Sequence, residues 1–362
     1  MKKLVLTLFA LVLGISFTLA QSNSSTINTN GNGNAATATQ SGDTNSSDIG
    51  QDGDSNTAGT SQSGDLNTSV VGQLGDGNYS DVGQSGSSNS AEVAQDGSNS
   101  SYAYQSGAGN SADVAQEGDN SSTTYQYGDG NAVNIAQIDG NSSYAYQYGD
   151  GNEGNVSQDG SNSSYLSQGI SNNLANVTQV GANYSDVGQD DSDNTADVSQ
   201  DGDGNSSYVH QWDGDGNAAT TTQIGDGNYS HTDQYSESFS NTATVSQDGD
   251  GNSAYTYQGY GNGNSATTSQ EGAGNYSSAN QYYGDGNSAD VGQLGDNNGS
   301  DLTQLGSSNT AGISQDGASN FSDLYIMGDS NLTTVTQDGA SNTSEIDVIG
   351  NGNTQTVSQS DL

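Results

Sequence analysis

The stretch "NSADVAQEGDNSSTTYQ", residues Asn110–Gln126, contains one spacing twice. Gln116 follows Asn110 by six residues, and Gln126 follows Asn120 by six residues. A disordered polar segment has no need of a fixed spacing between two amide side chains. The repeated distance therefore indicates that the spacing serves an ordered structure.

The same Asn-x5-Gln unit runs through almost the whole chain. It first opens at Asn34, recurs every 10 to 13 residues and last opens at Asn353, which gives 30 units. The seventh residue is Gln in 28 of these units, and Ile326 and Val348 are the exceptions. The distance from each Gln to the next Asn varies, whereas the distance from Asn to Gln does not. Each unit is therefore predicted to be one rigid element, and each variable connection to be a turn.

Residues inside a unit alternate in character. When Asn is counted as position 1 and Gln as position 7, position 3 is small, as at Ala112, and position 5 is apolar or Thr, as at Val114. Positions 2, 4 and 6 are mostly polar residues or Tyr. This alternation predicts a β-strand whose positions 1, 3, 5 and 7 point inward. Gly and Asp in the connections favour tight turns.

A second rhythm predicts the architecture. From Asn78 onward, units with Ser at position 3 alternate with units that carry Ala, with departures at Val133, Gly154 and Ala254. The alternation slips between the units opening at Asn67 and Asn78, which both carry Ser. Two alternating unit types predict a structural repeat of about 22 residues with two strands and two tight turns. The predicted fold is all-β, a two-sheet parallel β-solenoid of about 15 coils with stacked, cross-β strands.

The inward Asn and Gln residues are predicted to form columns along the solenoid axis. An amide both donates and accepts hydrogen bonds, so identical residues in successive coils can bond to one another. An unpartnered buried amide would cost about 1–3 kcal/mol, so the columns would also fix the register. In the central repeats the predicted ladder residues are Asn99, Gln105, Asn110, Gln116, Asn120, Gln126, Asn131, Gln137, Asn141, Gln147, Asn152 and Gln158.

The chain begins with a segment typical of a secretory signal. Residues 1–20 contain Lys2 and Lys3, then a long apolar run and small residues up to Ala20. We predict three parts: this signal, a short flexible N-terminal segment at residues 21–33 that is considered as a secretion-targeting region, and a repeat solenoid at residues 34–362. Because the two lysines are the chain's only basic residues apart from histidine, removal of the signal changes the formal net charge from −41 to −43.

Composition excludes several classes of function. Without Lys or Arg the secreted chain cannot neutralise phosphates, so no nucleic-acid partner is expected. The chain has no Cys and no Pro, so neither disulfides nor breaks in a β-ladder are expected. His210 and His231 fall at outward positions of different units, and no catalytic, cofactor or specific metal site is predicted. Weak binding of divalent cations to the many carboxylates is expected.

The stretch "SSYAYQSGAGNSADVAQ", Ser100–Gln116, resembles the repeat of the curlin family, the subunits of curli amyloid fibres. The family pattern is Ser-x5-Gln-x-Gly-x-Gly-Asn-x-Ala-x3-Gln. The corresponding residues are Gln105, Gly107, Gly109, Asn110, Ala112 and Gln116. The resemblance extends from Asn34 to Gln359. Three features differ from the family's usual pattern: the array is longer, Lys and Arg are absent from it, and Asn replaces Ser as the first residue of most strands.

The resemblance implies a secreted structural protein, not an enzyme, that assembles end to end with copies of itself into extracellular amyloid fibres. It further implies export through the periplasm and outer membrane of a Gram-negative bacterium, and a role in biofilm matrix and cell adhesion. The implied partners are the chain itself, a curli-type export pore, and nucleator or chaperone proteins.

Outward tyrosines of the Ser-type units are predicted to align in columns that stabilise the sheet or form a contact surface. They are Tyr102, Tyr104, Tyr125, Tyr144, Tyr146, Tyr165 and Tyr208. Two other functions compete with the fibre subunit. A monomeric solenoid adhesin, including an ice-binding one, would want a regular Thr array, whereas Thr is scattered here. A disordered acidic polymer would not need the strict spacing.

Overall fold

The computed structural model of this protein describes residues 22–361, and the predicted secretory signal lies outside the described residues. The described chain forms 29 β-strands. It contains no helix long and apolar enough to cross a membrane.

Most strands are seven to nine residues long, as the spacing predicts, because each covers one Asn-to-Gln unit and little more. The strands are β1 (Ser24–Asn30), β2 (Ala35–Ser41), β3 (Ser46–Asp52), β4 (Thr57–Asp65), β5 (Thr68–Leu74), β6 (Tyr79–Ser87), β7 (Ser90–Gly97), β8 (Ser100–Ala108), β9 (Ser111–Gly118), β10 (Ser121–Tyr127), β11 (Ala132–Ile138), β12 (Ser142–Tyr148), β13 (Glu153–Gly160), β14 (Ser163–Gln168), β15 (Leu174–Gln189), β16 (Thr195–Gln211), β17 (Ala218–Ile224), β18 (Tyr229–Tyr235), β19 (Thr242–Asp248), β20 (Ser253–Gly259), β21 (Ser265–Glu271), β22 (Tyr276–Tyr282), β23 (Ser288–Leu294), β24 (Gly299–Leu305), β25 (Thr310–Ala318), β26 (Phe321–Met327), β27 (Leu332–Ala340), β28 (Thr343–Ile349) and β29 (Thr354–Ser360).

Each strand pairs in parallel with the strand one coil away, so every position stacks on its own equivalent. Gln126 of β10, for example, lies opposite Gln105 of β8 and Gln147 of β12. The odd-numbered strands up to β13 and from β17 onward form the first sheet, and the even-numbered strands up to β14 and from β18 onward form the second. β15 and β16 each run through a turn and contribute to both sheets. The predicted two-sheet parallel β-solenoid of about 15 coils is confirmed.

The core between the sheets is thin. Positions 3 and 5 point inward, and residues such as Val82, Val114 and Leu302 are fully buried there. Gly154, which departs from the rule of Ala at position 3, makes room for a larger partner. A Cβ added at Gly154 would lie 2.4 Å from Cδ2 of Leu166 on the opposite sheet. Because the space between the sheets is limited, the large Leu166 on one sheet requires a small residue on the other.

The segment at residues 21–33 is predicted to be flexible, but the structure places strand β1, Ser24–Asn30, within it and pairs this strand with β3. The unit that contains β1 begins at Asn23 and has Ile27 at position 5. Its seventh residue is Thr29 instead of Gln, so the Asn-x5-Gln pattern did not identify it. The stack therefore begins one unit before residue 34.

The slip of the Ser/Ala rhythm is not a shift of register. Ala58 lies opposite Ser80 in the second sheet, and Ser69 lies opposite Ala91 in the first. At this level of the stack, position 3 changes from Ala to Ser in the second sheet and from Ser to Ala in the first. The pairing of strands continues unchanged.

Candidate assembly surfaces

Inward Gln residues bind both along the stack and across it. Nε2 of Gln126 donates to Oε1 of Gln147 at 3.0 Å, and Oε1 of Gln126 accepts from Nε2 of Gln105 at 2.8 Å. Nε2 of Gln126 also donates to the carbonyl oxygen of Ser111 on the opposite sheet at 2.8 Å. Each Gln therefore joins three coil segments, two in its own sheet and one in the other.

The predicted Gln ladder residues lie in two columns, one per sheet. Within each column, Nε2 donates to Oε1 of the next coil over 2.7 to 3.0 Å. The second-sheet column contains Gln105, Gln126 and Gln147, and the first-sheet column contains Gln116, Gln137 and Gln158. All six side chains are buried.

The predicted Asn ladder residues are buried too, but they bond mainly to the backbone. Oδ1 of Asn110 accepts the peptide N–H of Asn131 at 2.9 Å. Nδ2 of Asn131 donates to the turn carbonyls of Tyr127 at 3.1 Å and Gly149 at 2.7 Å. The Asn side chains thus hydrogen-bond successive coils to one another and stabilise the turns. Direct amide bonds join other neighbours, including Asn99 with Asn120 and Asn120 with Asn141, while the peptide N–H of Asn152 donates to Oδ1 of Asn131.

The turns carry a column of carboxylates that accept peptide hydrogen bonds. Oδ1 of Asp129 accepts from the N–H of Ala108 at 2.7 Å, and Oδ1 of Asp150 accepts from the N–H of Asp129 at 2.8 Å. Hydrogen bonds to charged acceptors are stronger than neutral ones. The repeated Asp-Gly turns therefore tie successive coils together.

Both ends of the solenoid expose core positions. Ile27 in β1 is 44% exposed, whereas its equivalent one coil inward, Ile49, is 0% exposed. The buried Oε1 of Gln51 has no hydrogen-bond partner, because Thr29 stands where the preceding Gln would be. No helix or folded-back segment within residues 22–361 covers either terminal strand. Open parallel edges of this kind can pair with another strand.

The second sheet carries all 20 tyrosines, at outward positions or in the turns that follow its strands. The predicted contact residues lie among them. Tyr144 stacks on Tyr165 with ring centroids 5.2 Å apart. Elsewhere the predicted column is interrupted, because Thr123 separates Tyr102 from Tyr144 in the register. Tyr125 leans into that gap, 5.4 Å from Tyr102 and 6.0 Å from Tyr144.

The remaining predicted tyrosines belong to the same surface. The ring centroids of Tyr125 and Tyr146 are 6.4 Å apart, those of Tyr104 and Tyr127 are 5.7 Å apart, and those of Tyr208 and Tyr184 are 5.5 Å apart. Tyrosine pairs of this geometry pack favourably beyond their buried area. Burial, together with neighbouring tyrosines, raises the pKa of Tyr102 and of Tyr144.

The outer face of the first sheet has a different shape. Position 6 is Gly or Ala in five successive coils, at Gly50, Gly72, Ala94, Ala115 and Ala136. These residues line the floor of a groove that runs along the stack. The solenoid therefore has one aromatic face and one grooved face of small residues.

The two histidines meet on the aromatic face. His210 of β16 lies opposite Asp233 of β18, and His231 is two residues before Asp233. Burial by itself lowers the pKa of His210, but hydrogen bonds and attraction to Asp186 and Asp233 outweigh it and raise that pKa to about 9. Burial by itself raises the pKa of Asp233, but the two histidines lower it to about 2. Sequence reasoning missed this cluster, although the parallel register makes position 6 of one strand a diagonal neighbour of position 4 in the next coil of the same sheet.

In-register parallel coils, columns of inward amides and open ends define a repeat protein of the β-solenoid class. The Curlin associated repeat matches residues 31–64, 53–86, 86–118, 192–225, 240–272, 261–295 and 328–360. These matches cover more than half of the chain, which belongs to the curlin family. The family is structural and non-enzymatic, and membership implies an extracellular fibre subunit. A comparison with curated proteins found no match.

Proposed function

We propose that this chain is the subunit of an extracellular curli-type amyloid fibre that grows by stacking chains end to end. The observation that supports this most directly is the pair of open ends. Within residues 22–361, β1 and β29 each have one edge without a paired strand, and core positions such as Ile27 are partly exposed there. A second copy would cover these positions in the register that already joins the coils within one chain.

The backbone direction identifies the groups that would form the junction. In a parallel pair a residue sends its N–H and C=O to the same neighbour, and the next residue sends them to the opposite side. The N–H of Leu332 donates to the carbonyl of Asn353, which directly precedes β29, and Leu332 lies opposite Thr354. Thr354, and with it Thr356, therefore points its peptide groups past the last coil.

The test uses residues 21–362 diluted from denaturant, with thioflavin fluorescence and sedimentation measured with and without preformed seeds. Concentration-dependent, seedable fibres are expected. Thr356→Pro removes an outward N–H at the junction while leaving the pairing of β29 with β27 intact, so seeded growth is expected to fall at least tenfold. Thr356→Ala keeps the N–H and is the matched control.

Growth of Thr356→Pro at the wild-type rate would contradict stacking through this edge. Circular dichroism of the soluble variant checks that it is folded. β-rich monomers at every wild-type concentration would instead favour the monomeric adhesin. An adhesin of the ice-binding type would need a long regular array of Thr. The outward column of Thr220, Thr244 and Thr267 is only three residues long, because Asp197 and Asp290 occupy the next positions in the register.

The family supports the wider setting of this proposal. We propose removal of residues 1–20 on secretion, export through a curli-type pore, and assembly with nucleator or chaperone proteins. The fibre would serve in biofilm matrix and adhesion, with the tyrosine face as its lateral contact surface. Divalent cations would weakly screen the repulsion between stacked carboxylates.

A further inference from the structure

In the part of the chain that the structure describes, one group of histidine and acidic side chains is arranged to hold a metal ion: His210, His231 and Asp233. They come from two successive coils of the second sheet. His210 and Asp233 are opposite each other in the register, and His231, two residues before Asp233 on the same strand and face, is diagonal to His210. A rigid β-ladder therefore fixes the backbone positions of all three residues.

The distances suit a small tetrahedral ion. Nδ1 of His210 lies 3.3 Å from Oδ1 of Asp233, and Nε2 of His231 lies 3.0 Å from the same oxygen. All three ligand atoms lie within 4.8 Å of one another. Around zinc, with bonds of about 2.0–2.2 Å, neighbouring ligand atoms are about 3.3 Å apart. Two of the three distances between ligand atoms are thus already close to those around zinc, and the third is within 4.8 Å.

A polar group faces the second nitrogen of each imidazole, within hydrogen-bond distance at His231 and somewhat farther at His210. Nε2 of His210 faces Oδ1 of Asp186 at 3.9 Å, and Nδ1 of His231 lies 3.4 Å from the hydroxyl of Tyr229. Metal-binding histidines almost always have such a polar group behind them, which fixes the ring and its tautomer.

Aromatic rings shield the site on its flanks. Trp212 stacks on His210 with ring centroids 4.9 Å apart, and the ring centroids of Tyr257 and His231 are 5.6 Å apart. The side chains of His210, His231 and Asp233 are only 20% to 24% exposed. The site is therefore partly dehydrated yet open on its outer side, where a water or an external ligand could complete the coordination.

We propose that His210, His231 and Asp233 bind one divalent transition-metal ion of the zinc class on the lateral face of the solenoid. Two imidazole nitrogens and one carboxylate oxygen are a donor set that suits zinc, copper or nickel, whereas calcium and magnesium prefer oxygen ligands alone. The chain's many other carboxylates bind cations weakly and without this preference. The proposal is independent of fibre growth, because the site lies away from both ends.

The test titrates zinc into residues 21–362 by calorimetry, with excess calcium and magnesium present to occupy isolated carboxylates. One zinc per chain is expected. His231→Gln keeps the size of the side chain and its outward position, and it is expected to weaken binding at least tenfold. Asp301→Asn, a carboxylate elsewhere on the second sheet, is the matched control and should bind one zinc as the wild type does.

A second measurement does not depend on a variant. One equivalent of zinc should protect both histidines of the wild-type chain from carbethoxylation, as read by mass spectrometry. Stoichiometric binding with protection of both residues would support the site. Absence of stoichiometric binding, binding unchanged in a folded His231→Gln chain, or histidines left unprotected by zinc would each overturn it.

Discussion

Replacement of Gly128 by Ala is predicted to disrupt the stack at one turn, whereas replacement of Gly130, two residues later, is predicted to be mild. Both residues have positive φ angles, 103° and 69°, so Ala introduces backbone strain of about 1–3 kcal/mol at either position. Their surroundings differ. A Cβ on Gly128 would lie 2.1 Å from the carbonyl oxygen of Gly149 in the next coil, whereas a Cβ on Gly130 would have no atom within 4 Å.

The size of the effect follows from that contact. To reach a tolerable distance of at least 3.0 Å, the next turn must move away from Gly128. The movement strains the bond from the N–H of Gly149 to the carbonyl of Tyr127, now 3.0 Å, and the bond from Nδ2 of Asn131 to the carbonyl of Gly149, now 2.7 Å. These groups are partly exposed or keep a second partner, so each lost bond costs about 0.5–1.5 kcal/mol. Together with the backbone strain, the total is about 2–6 kcal/mol for Gly128→Ala, against strain alone for Gly130→Ala.

The assay is guanidinium unfolding of residues 21–362, followed by circular dichroism. Midpoints are compared directly, because a long repeat array need not unfold in one step. Gly128→Ala should lower the midpoint clearly more than Gly130→Ala does. Equal losses for the two variants would refute the steric argument and leave backbone strain as the only cost of Ala in these turns.

Three further predictions concern the columns and the aromatic face. Gln126→Ala removes three hydrogen bonds and leaves the buried Oε1 of Gln147 without a donor, so the free energy of unfolding should fall by about 2–6 kcal/mol, whereas an unchanged guanidinium midpoint would contradict the ladder. Burial and the stacked Asp323 raise the pKa of Asp301, so ionisation of Asp301 costs stability at pH 7 and this cost disappears as the pH falls through the folded pKa. Asp301→Asn should therefore raise the thermal midpoint at pH 7 and lose that advantage in acid; a gain that persists in acid would refute this cause. The double variant Tyr127→Ser with Tyr148→Ser should leave seeded growth unchanged but reduce lateral bundling in electron micrographs, and unaltered bundles would exclude these tyrosines as contacts.

The constant distance between Asn and Gln was enough to predict the fold, because a period of two over seven residues leaves few alternatives to a half-buried strand. The same rule missed β1, whose seventh residue is Thr29. It also missed the compensation between Gly154 and Leu166, since that depends on which residues of the two sheets share a level. The proximity of His210 and His231 could have been predicted from the register alone, because they lie on adjacent strands of the same sheet.

The hydrogen bonds of the columns could not be predicted from residue types alone. Gln and Asn carry the same amide, yet the Gln column donates from each coil toward the C-terminal end, as from Gln337 to Gln359. Peptide N–H groups of the Asn column donate the opposite way, as from Asn353 to Oδ1 of Asn331. The longer Gln side chain reaches the next Gln and a carbonyl of the opposite sheet, whereas the shorter Asn side chain bonds mainly to peptide groups of the strand and turns beside it, and to the neighbouring Asn at some coils.

These opposed directions make the two ends of the solenoid chemically different. At the C-terminal end the first sheet presents Nε2 of Gln359 and Oδ1 of Asn353, a donor and an acceptor, to a following chain. At the N-terminal end, Thr29 and the peptide N–H of Asn23 occupy the matching positions of the register. Head-to-tail stacking brings Oδ1 of Asn353 to the peptide N–H of Asn23 in the same parallel register that joins coils within one chain. In the proposed fibre, the columns that hold one chain together would therefore also fix its polarity.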